Sequence, residues 1–246
     1  MKIFALTSAL LGATQANVSN LLQQANAQME KTAEKQAAAN LDGDDNGIPM
    51  DLQRAVTQDD MDLVNQYGCW CYFQDDYGQG RGKPVDEIDT LCKRLHDGYT
   101  CAIMDSQDLV TGECVPWEIT YNSAIGSGLV MDMDIATIRS ECDVQNPANG
   151  CANWVCKIEG YFVQQLVLYF THGGLIDHSL RHANGFNPKS DCPISTGIDS
   201  EKACCDDYPL RFPFKTYNGS RDCCYSHTFN TNLYQCCADG KVKLTC

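Results

Sequence analysis

The arrangement of the cysteines constrains the fold of this chain more than any other sequence feature. Sixteen cysteines occur in 246 residues, eight of them between Cys69 and Cys156 and eight between Cys192 and Cys246. An even number at this density is typical of exported proteins, whose cysteines form disulfides rather than reactive thiols. The distribution predicts two disulfide modules, each closing its own bridges, joined by a cysteine-free stretch.

The amino terminus agrees with export. A basic start, Met1-Lys2, precedes an apolar run from Ile3 to Ala13 and the small-residue ending Thr14-Gln15-Ala16. This is the pattern of a secretory signal peptide. The run is too short to span a membrane, which takes about 20 apolar residues. We therefore expect a secreted, extracellular protein.

The charge of the chain argues against two kinds of partner. The formal net charge is −14 at pH 7, which disfavours nucleic acids and strong attraction to anionic membranes, since these attract clusters of Lys and Arg. From Lys189 to Cys246, seven basic residues match seven acidic ones. The excess of acidic residues therefore lies upstream of the carboxy-terminal part.

Two helices are predicted from apolar periodicity. Between Pro84 and Cys101 the apolar stripe places His96, which Asp97 follows, beside the buried face rather than opposite it. A second helix is expected to begin between Asn149 and Ala152 and to run to about Phe170. Glu159 falls on or beside its stripe, where a carboxylate is costly unless it is paired. The chain between Met104 and Gln145 is expected to be irregular. The two stripes are Ile88, Leu91, Cys92, Leu95, Tyr99 and Ala102, and Val155, Ile158, Phe162, Val163, Leu166, Val167 and Phe170.

The tail from Asp191 differs in character, because turn-forming and aromatic residues surround three vicinal cysteine pairs. It predicts short strands and turns held by disulfides. Asn218-Gly219-Ser220 is a glycosylation sequon, as is Asn17-Val18-Ser19. The cysteine spacing is similar to that of galaxin-type extracellular matrix proteins, which implies a matrix or protein partner; the alternative is a disulfide-stabilised appendage. The pairs are Cys204-Cys205, Cys223-Cys224 and Cys236-Cys237.

Over about residues 67–165, a series of motifs resembles, in type and in order, the pattern of the secreted phospholipase A2 family. They are a loop resembling the family's calcium loop, a Gly-rich turn ending in proline, a helix bearing His-Asp after a cysteine, and a later cysteine-rich helix. Here they read Tyr67-Gly68-Cys69-Trp70-Cys71, Gly80-Arg81-Gly82-Lys83-Pro84, Cys92 with His96-Asp97, Cys114 with Trp117 and Tyr121, and Cys142, Cys151 and Cys156.

The resemblance implies a fold and a division of the chain. The fold would be mainly α-helical and disulfide-rich, with two antiparallel helices and a calcium loop, followed by a small cysteine-rich irregular or β module. The expected parts are a signal peptide at 1–16, a disordered or pro-segment arm at 17–50, a phospholipase A2-like domain at 51–186 and a di-cysteine module at 187–246. It also implies the disulfides Cys71–Cys92, Cys114–Cys151, Cys142–Cys156 and Cys69–Cys101.

The activity implied by the resemblance is the release of a fatty acid from a glycerophospholipid at a membrane or micelle surface. His96 would be the general base that takes a proton from the attacking water. Glu159 stands where the family has the Asp that orients this histidine, and Tyr121 and Tyr99 would support the network. No covalent acyl-enzyme is implied.

The resemblance also implies a Ca²⁺ cofactor. Asp97 would ligate it, together with backbone carbonyls around Trp70, Tyr72 and Gln74, since Ca²⁺ prefers oxygen ligands. The ion would hold the lipid phosphate and stabilise the oxyanion. His178 and His182 are expected to be polar surface residues rather than metal ligands.

The sequence departs from the family pattern at several positions. The loop glycines after Cys71 are missing, although Asp75 or Asp76 could supply ligands instead. Lys93 stands where the family has a second cysteine, and a pair of bonded cysteines is replaced near Gly98 and at Ile158. An alternative function is therefore that of a non-catalytic, phospholipase-like extracellular binding or matrix protein.

Overall fold

The computed structural model describes residues 63–73, 80–107, 112–122, 134–147, 149–194, 197 and 199–246. The expected signal peptide at 1–16 and arm at 17–50 lie outside the described residues, and so do Gln74, Asp75 and Asp76. The described helices are α1 (Glu87–Ser106), α2 (Ile135–Gln145), α3 (Gly150–Thr171) and α4 (Pro188–Asp191), with 3-10 turns at His178–Leu180 and His182–Asn184.

Helix α1 forms where the periodicity predicts it. The side chain of Asp86 caps its start by accepting a hydrogen bond from the Asp89 N–H, at 2.9 Å. Such a cap satisfies one of the backbone donors left free at a helix start. His96 lies on the buried side, as expected, because it falls beside the apolar stripe that packs into the core.

Helix α3 also begins and ends close to the predicted bounds, and its whole predicted stripe is buried. Asn149 caps it by accepting from the Ala152 N–H, at 3.1 Å. It packs along α1, and the two helices provide most of the hydrophobic core. The pair therefore brings residues in the middle of α1 next to residues in the first half of α3.

Helix α2 corrects the expectation of an irregular chain between Met104 and Gln145. It begins after Asp134, whose carboxylate accepts from the Thr137 N–H at 2.7 Å. Only Ile138 and Cys142 are buried, one turn apart, and they pack against α3. A helix that buries a single pair of residues leaves almost no periodic apolar signal, so the sequence pattern did not predict it.

The tail consists of three antiparallel hairpins, in agreement with the predicted short strands. Strand pairing is between neighbours in the chain, each pair forming its own two-stranded sheet. The strands are β1 (Lys202–Cys205), β2 (Phe212–Lys215), β3 (Arg221–Cys224), β4 (His227–Asn230), β5 (Gln235–Cys236) and β6 (Val242–Lys243).

All sixteen cysteines form disulfides, which is compatible with an oxidising, extracellular compartment. Three expected bridges are confirmed, namely Cys71–Cys92, Cys114–Cys151 and Cys142–Cys156. The expected Cys69–Cys101 bridge is wrong. The remaining bridges are Cys69–Cys192, Cys101–Cys204, Cys205–Cys223, Cys224–Cys236 and Cys237–Cys246.

The correct partners of Cys69 and Cys101 also correct the expectation that each half closes its own bridges. Cys69 bonds to Cys192 and Cys101 bonds to Cys204, so two disulfides join the halves. Cys101 and Cys204 are close because α1 packs against β1 and β2, and near Cys69 the Arg81 side chain donates to the Cys192 carbonyl at 3.1 Å. The tail is therefore fixed at two points, to the loop before α1 and to α1 itself.

The described helices do not include a membrane span. None of them combines the length and the apolar character that crossing a bilayer requires.

Candidate functional site

Three of the predicted catalytic residues meet in one buried cluster between α1 and α3. Glu159 on α3 is 1% exposed, and its two carboxylate oxygens accept hydrogen bonds from the hydroxyls of Tyr99 and Tyr121. Tyr99 comes from α1, and Tyr121 comes from the segment that Cys114–Cys151 ties to α3. Glu159 is thus a paired carboxylate, as its place on the apolar stripe requires.

Burial governs the protonation of this cluster. It raises the pKa of Glu159 to about 7, and the hydrogen bonds from Tyr121 and Tyr99 offset part of the effect because they favour the charged form. Near neutral pH the carboxyl group is therefore divided between its charged and neutral forms.

His96, the predicted base, lies three residues before Tyr99 on α1 and is 6% exposed. Burial lowers its pKa to about 4, while hydrogen bonds with the backbone of Trp70 and of Tyr72 act in the opposite direction. Hydrogen bonds that raise the pKa of a histidine are those in which backbone carbonyls accept from the ring, because they favour its protonated form. The ring centre lies 6.0 Å from that of Trp70. The imidazole is therefore neutral at pH 7 and faces the loop around Trp70.

Asp97, the predicted calcium ligand, is paired with a cation of the protein itself. Its carboxylate accepts from the ammonium group of Lys93, one turn earlier on α1. The same ammonium lies over the Trp70 ring, 5.0 Å from its centre. Burial raises the pKa of Asp97 and the charge of Lys93 lowers it. Lys93 therefore brings a positive charge to two residues that were expected to bind Ca²⁺.

The backbone of the expected calcium loop is also occupied by protein donors. Five consecutive carbonyls, from Tyr67 to Cys71, accept hydrogen bonds. The Trp70 carbonyl accepts from the Tyr72 N–H at 2.8 Å, and the Cys69 carbonyl accepts from the Arg81 N–H at 3.1 Å. The Cys71 N–H donates to the Tyr67 carbonyl, and the Gln66 N–H donates to the Cys71 carbonyl. The His182 ring donates to the Gly68 carbonyl.

These observations test whether the residues present fit a calcium ion. Ca²⁺ takes six to eight oxygen ligands. Here the Asp97 carboxylate accepts a hydrogen bond from the Lys93 ammonium, and the Trp70 carbonyl accepts one from the Tyr72 N–H. Within the described ranges, no group of three or more His, Cys, Asp or Glu residues is placed to hold a metal. Asp97 and the Trp70 carbonyl are therefore paired within the protein and would have to change partners to bind the ion. Calcium binding stays a prediction, and Gln74 and the alternatives Asp75 and Asp76 lie outside the described residues.

Asp89 fixes this loop, and the sequence analysis did not single it out. It is completely buried, and its carboxylate accepts from the N–H groups of Trp70 at 2.7 Å and of Cys69 and Val85 at 3.0 Å. Gly68 lies against it with φ +56°, and a β-carbon there would be 2.6 Å from Cγ of Asp89. A signal was present, because Asp89 is seven residues before His96 and therefore on the same helix face.

His182 also differs from its expected place at the surface. Its Nε2 lies 2.8 Å from the Gly68 carbonyl, and its ring packs between Tyr72 and Phe186. The backbone next to His182 also contacts the loop, because the Gly68 N–H donates to the Leu180 carbonyl at 2.9 Å. His182 is thus a positioning residue for the loop, whereas His178 is exposed as expected.

Two cavities lie away from the His96 ring. One, of about 540 Å³, lies in the tail between β4 and the β5–β6 hairpin, where Phe229, Tyr234 and Val242 line it with Asn230 and Lys241. The other, of about 330 Å³, lies beside Tyr121 and is lined mainly by polar groups near the start of α3. The lining of the larger cavity also includes His227 and Thr228, so polar side chains outnumber apolar ones there.

Known proteins give no match to this chain. The comparisons with protein-family models, with curated proteins and with solved structures each found none.

Proposed function

We propose that this chain is a secreted, phospholipase A2-like protein that binds a partner and does not hydrolyse phospholipid. The observation that carries the proposal is the place of the Lys93 ammonium. It pairs with Asp97 and lies over the ring of Trp70, and the resemblance assigns the Asp97 carboxylate and the Trp70 backbone carbonyl to calcium, together with Tyr72 and Gln74. A divalent ion beside Asp97 would have to displace this cation or bear its repulsion.

The loop adds a second argument. Its carbonyls accept hydrogen bonds from the protein, and Asp89 holds the N–H groups of Cys69 and Trp70. An ion at the Trp70 carbonyl would share that oxygen with the Tyr72 N–H, which donates to it at 2.8 Å. A loop held at so many points favours a structural role over reversible metal binding.

The tail offers the surface for a partner. Several large apolar side chains of the tail are between 40% and 70% exposed, and Tyr234 among them lines the tail cavity. A matrix or protein partner at this module agrees with the galaxin-type spacing of its cysteines. The exposed residues are Tyr225, Leu233, Tyr234 and Leu244.

A second candidate is the calcium-dependent phospholipase A2-type hydrolase, which the cluster around Glu159 favours. In that function the neutral imidazole of His96 takes the proton of the attacking water, Glu159 orients the ring, and Tyr99 and Tyr121 support Glu159. This candidate also requires Asp97 to exchange Lys93 for Ca²⁺.

Fatty-acid release from phosphatidylcholine vesicles separates the two candidates. The full chain and its His96→Gln variant are assayed with millimolar Ca²⁺ and with a chelator, and an authentic calcium-dependent phospholipase A2 shows that the vesicles are susceptible. We expect no release above buffer from either protein. Release that is lost both with chelator and with His96→Gln would overturn the binding proposal and support the hydrolase.

A further inference from the structure

The turn between β2 and β3 carries the sequon Asn218-Gly219-Ser220. We propose that Asn218 is a site of N-linked glycosylation. The inference goes beyond the proposed binding function, because it concerns a covalent modification of the tail and not the helical site.

The turn presents the asparagine in a fixed backbone conformation. Tyr217, Asn218 and Gly219 have positive φ values of 50°, 55° and 83°, a region that Asn and Gly tolerate better than other residues. The Ser220 N–H donates to the Tyr217 carbonyl at 3.2 Å, and the Thr231 hydroxyl donates to the Gly219 carbonyl at 2.8 Å. The backbone of the turn is therefore held from both sides.

The side chain of Asn218, by contrast, is available. Asn218 and Gly219 are both exposed. Within the part of the chain that the structure describes, no hydrogen bond reaches the Asn218 amide, although Ser220 Oγ donates to the Tyr217 carbonyl at 2.8 Å. A β-carbon on Gly219 would meet nothing within 4 Å beyond its chain neighbours. The fold thus has room for a large group at this point.

The chemistry is that of transfer from a lipid-diphosphate-linked oligosaccharide. The amide nitrogen of Asn218 forms a bond to C1 of the first sugar, and the bond from C1 to the diphosphate oxygen breaks. The lipid diphosphate leaves with the electron pair, and one amide proton goes to solvent. A glycan here would cover the neighbouring Tyr217, which is 43% exposed, and would raise the solubility of the tail.

The test is expression of the full chain in a eukaryotic secretory host. Protein from the medium and from the cells is treated in H₂¹⁸O with an amidase that releases N-glycans and converts the modified Asn to ¹⁸O-labelled Asp, and the peptide containing residue 218 is examined by mass spectrometry before and after treatment. The label distinguishes a released glycan from the Asp of the Asn218→Asp variant and from earlier spontaneous deamidation at Asn218-Gly219. Asn218→Asp removes the acceptor but tolerates the positive φ. Ser220→Ala removes the sequon, and Ser220→Thr preserves it.

We expect a glycan on residue 218 in the wild type and in Ser220→Thr, and none there in Asn218→Asp or Ser220→Ala. A glycan at this position in either fraction supports the proposal, and an unmodified peptide in both fractions overturns it. Because the peptide is read separately, a glycan on Asn17 does not affect the result. Loss of secretion with the glycan present would count against export and not against this site, and the vesicle assay is independent of both.

Discussion

Two carboxylates that water hardly reaches, Asp89 and Glu159, are stabilised in different ways. Asp89 is surrounded by backbone N–H groups, which belong to the loop before α1 and to the helix start. Glu159 is held by two tyrosine hydroxyls from other segments. Asp89 therefore acts on the conformation of the loop, and Glu159 acts on the junction of the helices.

Replacing Asp89 by Asn tests its role in the loop. The amide keeps one acceptor oxygen but loses the charge and the second oxygen, so buried N–H groups of Cys69, Trp70 or Val85 lose their partner. We expect a loss of about 2–4 kcal/mol in the free energy of unfolding, measured by chemical denaturation. Asp191→Asn, at an exposed carboxylate that accepts from the Asn187 N–H, is the matched control. Equal effects of the two variants would show that Asp89 has no special role.

The raised pKa of Glu159 predicts how stability depends on pH. The folded state binds the proton more tightly than the unfolded state, because the pKa rises from 4.5 to about 7 on folding. This contribution is fully present below pH 4.5 and is lost as the pH rises to about 7. Relative to Glu159→Gln, which does not titrate, the wild type should lose roughly 3 kcal/mol over this range. A difference between the two proteins that stays constant with pH would contradict the assignment.

At the scale of elements, the facing positions Gly98 and Ile158 define how α1 and α3 pack. A β-carbon on Gly98 would lie 3.0 Å from Cγ1 and Cγ2 of Ile158. The two β-carbon positions are therefore within about 4.5 Å, the range in which disulfides form.

A double variant, Gly98→Cys with Ile158→Cys, should consequently form a ninth disulfide without moving the helices. Thiol titration of the unfolded, unreduced protein should detect no free thiol in the double variant and one in each single variant. Two free thiols in the double variant would mean that the helices are not in the register described.

The elements divide into those that the sequence predicted and those that it did not. Helices α1 and α3 bury a continuous stripe, so their period was visible, whereas α2 buries only Ile138 and Cys142. The bridges of Cys69 and Cys101 depend on where the tail lies against α1, which no local pattern encodes. At the site, Glu159 was recognisable because a carboxylate on an apolar stripe needs a partner. The role of Lys93 as the partner of Asp97 was not recognisable, because a lysine one turn from an aspartate is ordinary on any helix.

At the scale of the whole molecule, the tail is not an independent appendage. Arg211 donates to both oxygens of Asp105, at 2.6 and 3.0 Å, and the Tyr208 hydroxyl donates to the same carboxylate at 2.8 Å. Tyr208 also stacks on Trp154 of α3. Together with the Cys101–Cys204 bridge, these contacts hold the first hairpin against the end of α1.

Removing the carboxylate should loosen this junction. Asp105→Ala leaves Arg211 and Tyr208 without their acceptor in a half-buried place, and we expect a loss of about 1–2 kcal/mol. Asp239→Ala breaks the pair with Lys243, in which both side chains are nearly half exposed, and should cost less than Asp105→Ala, because exposed ion pairs contribute little to stability. Calorimetry compares the melting temperatures; equal values for the two variants would argue against a tight junction.

Calcium linkage tests the central claim, that the Lys93 ammonium takes the place of a metal ion, most directly. The measurement is the melting temperature of the full chain in chelator and in 10 mM Ca²⁺, with Mg²⁺ at equal ionic strength as the control. Ca²⁺ at a concentration 100 times the dissociation constant of its site would stabilise the fold by about 2.7 kcal/mol. For a chain of this size, that corresponds to a rise of several degrees in the melting temperature. We predict no shift beyond that produced by Mg²⁺. A calcium-specific rise of several degrees that is abolished by Asp97→Asn would contradict the account.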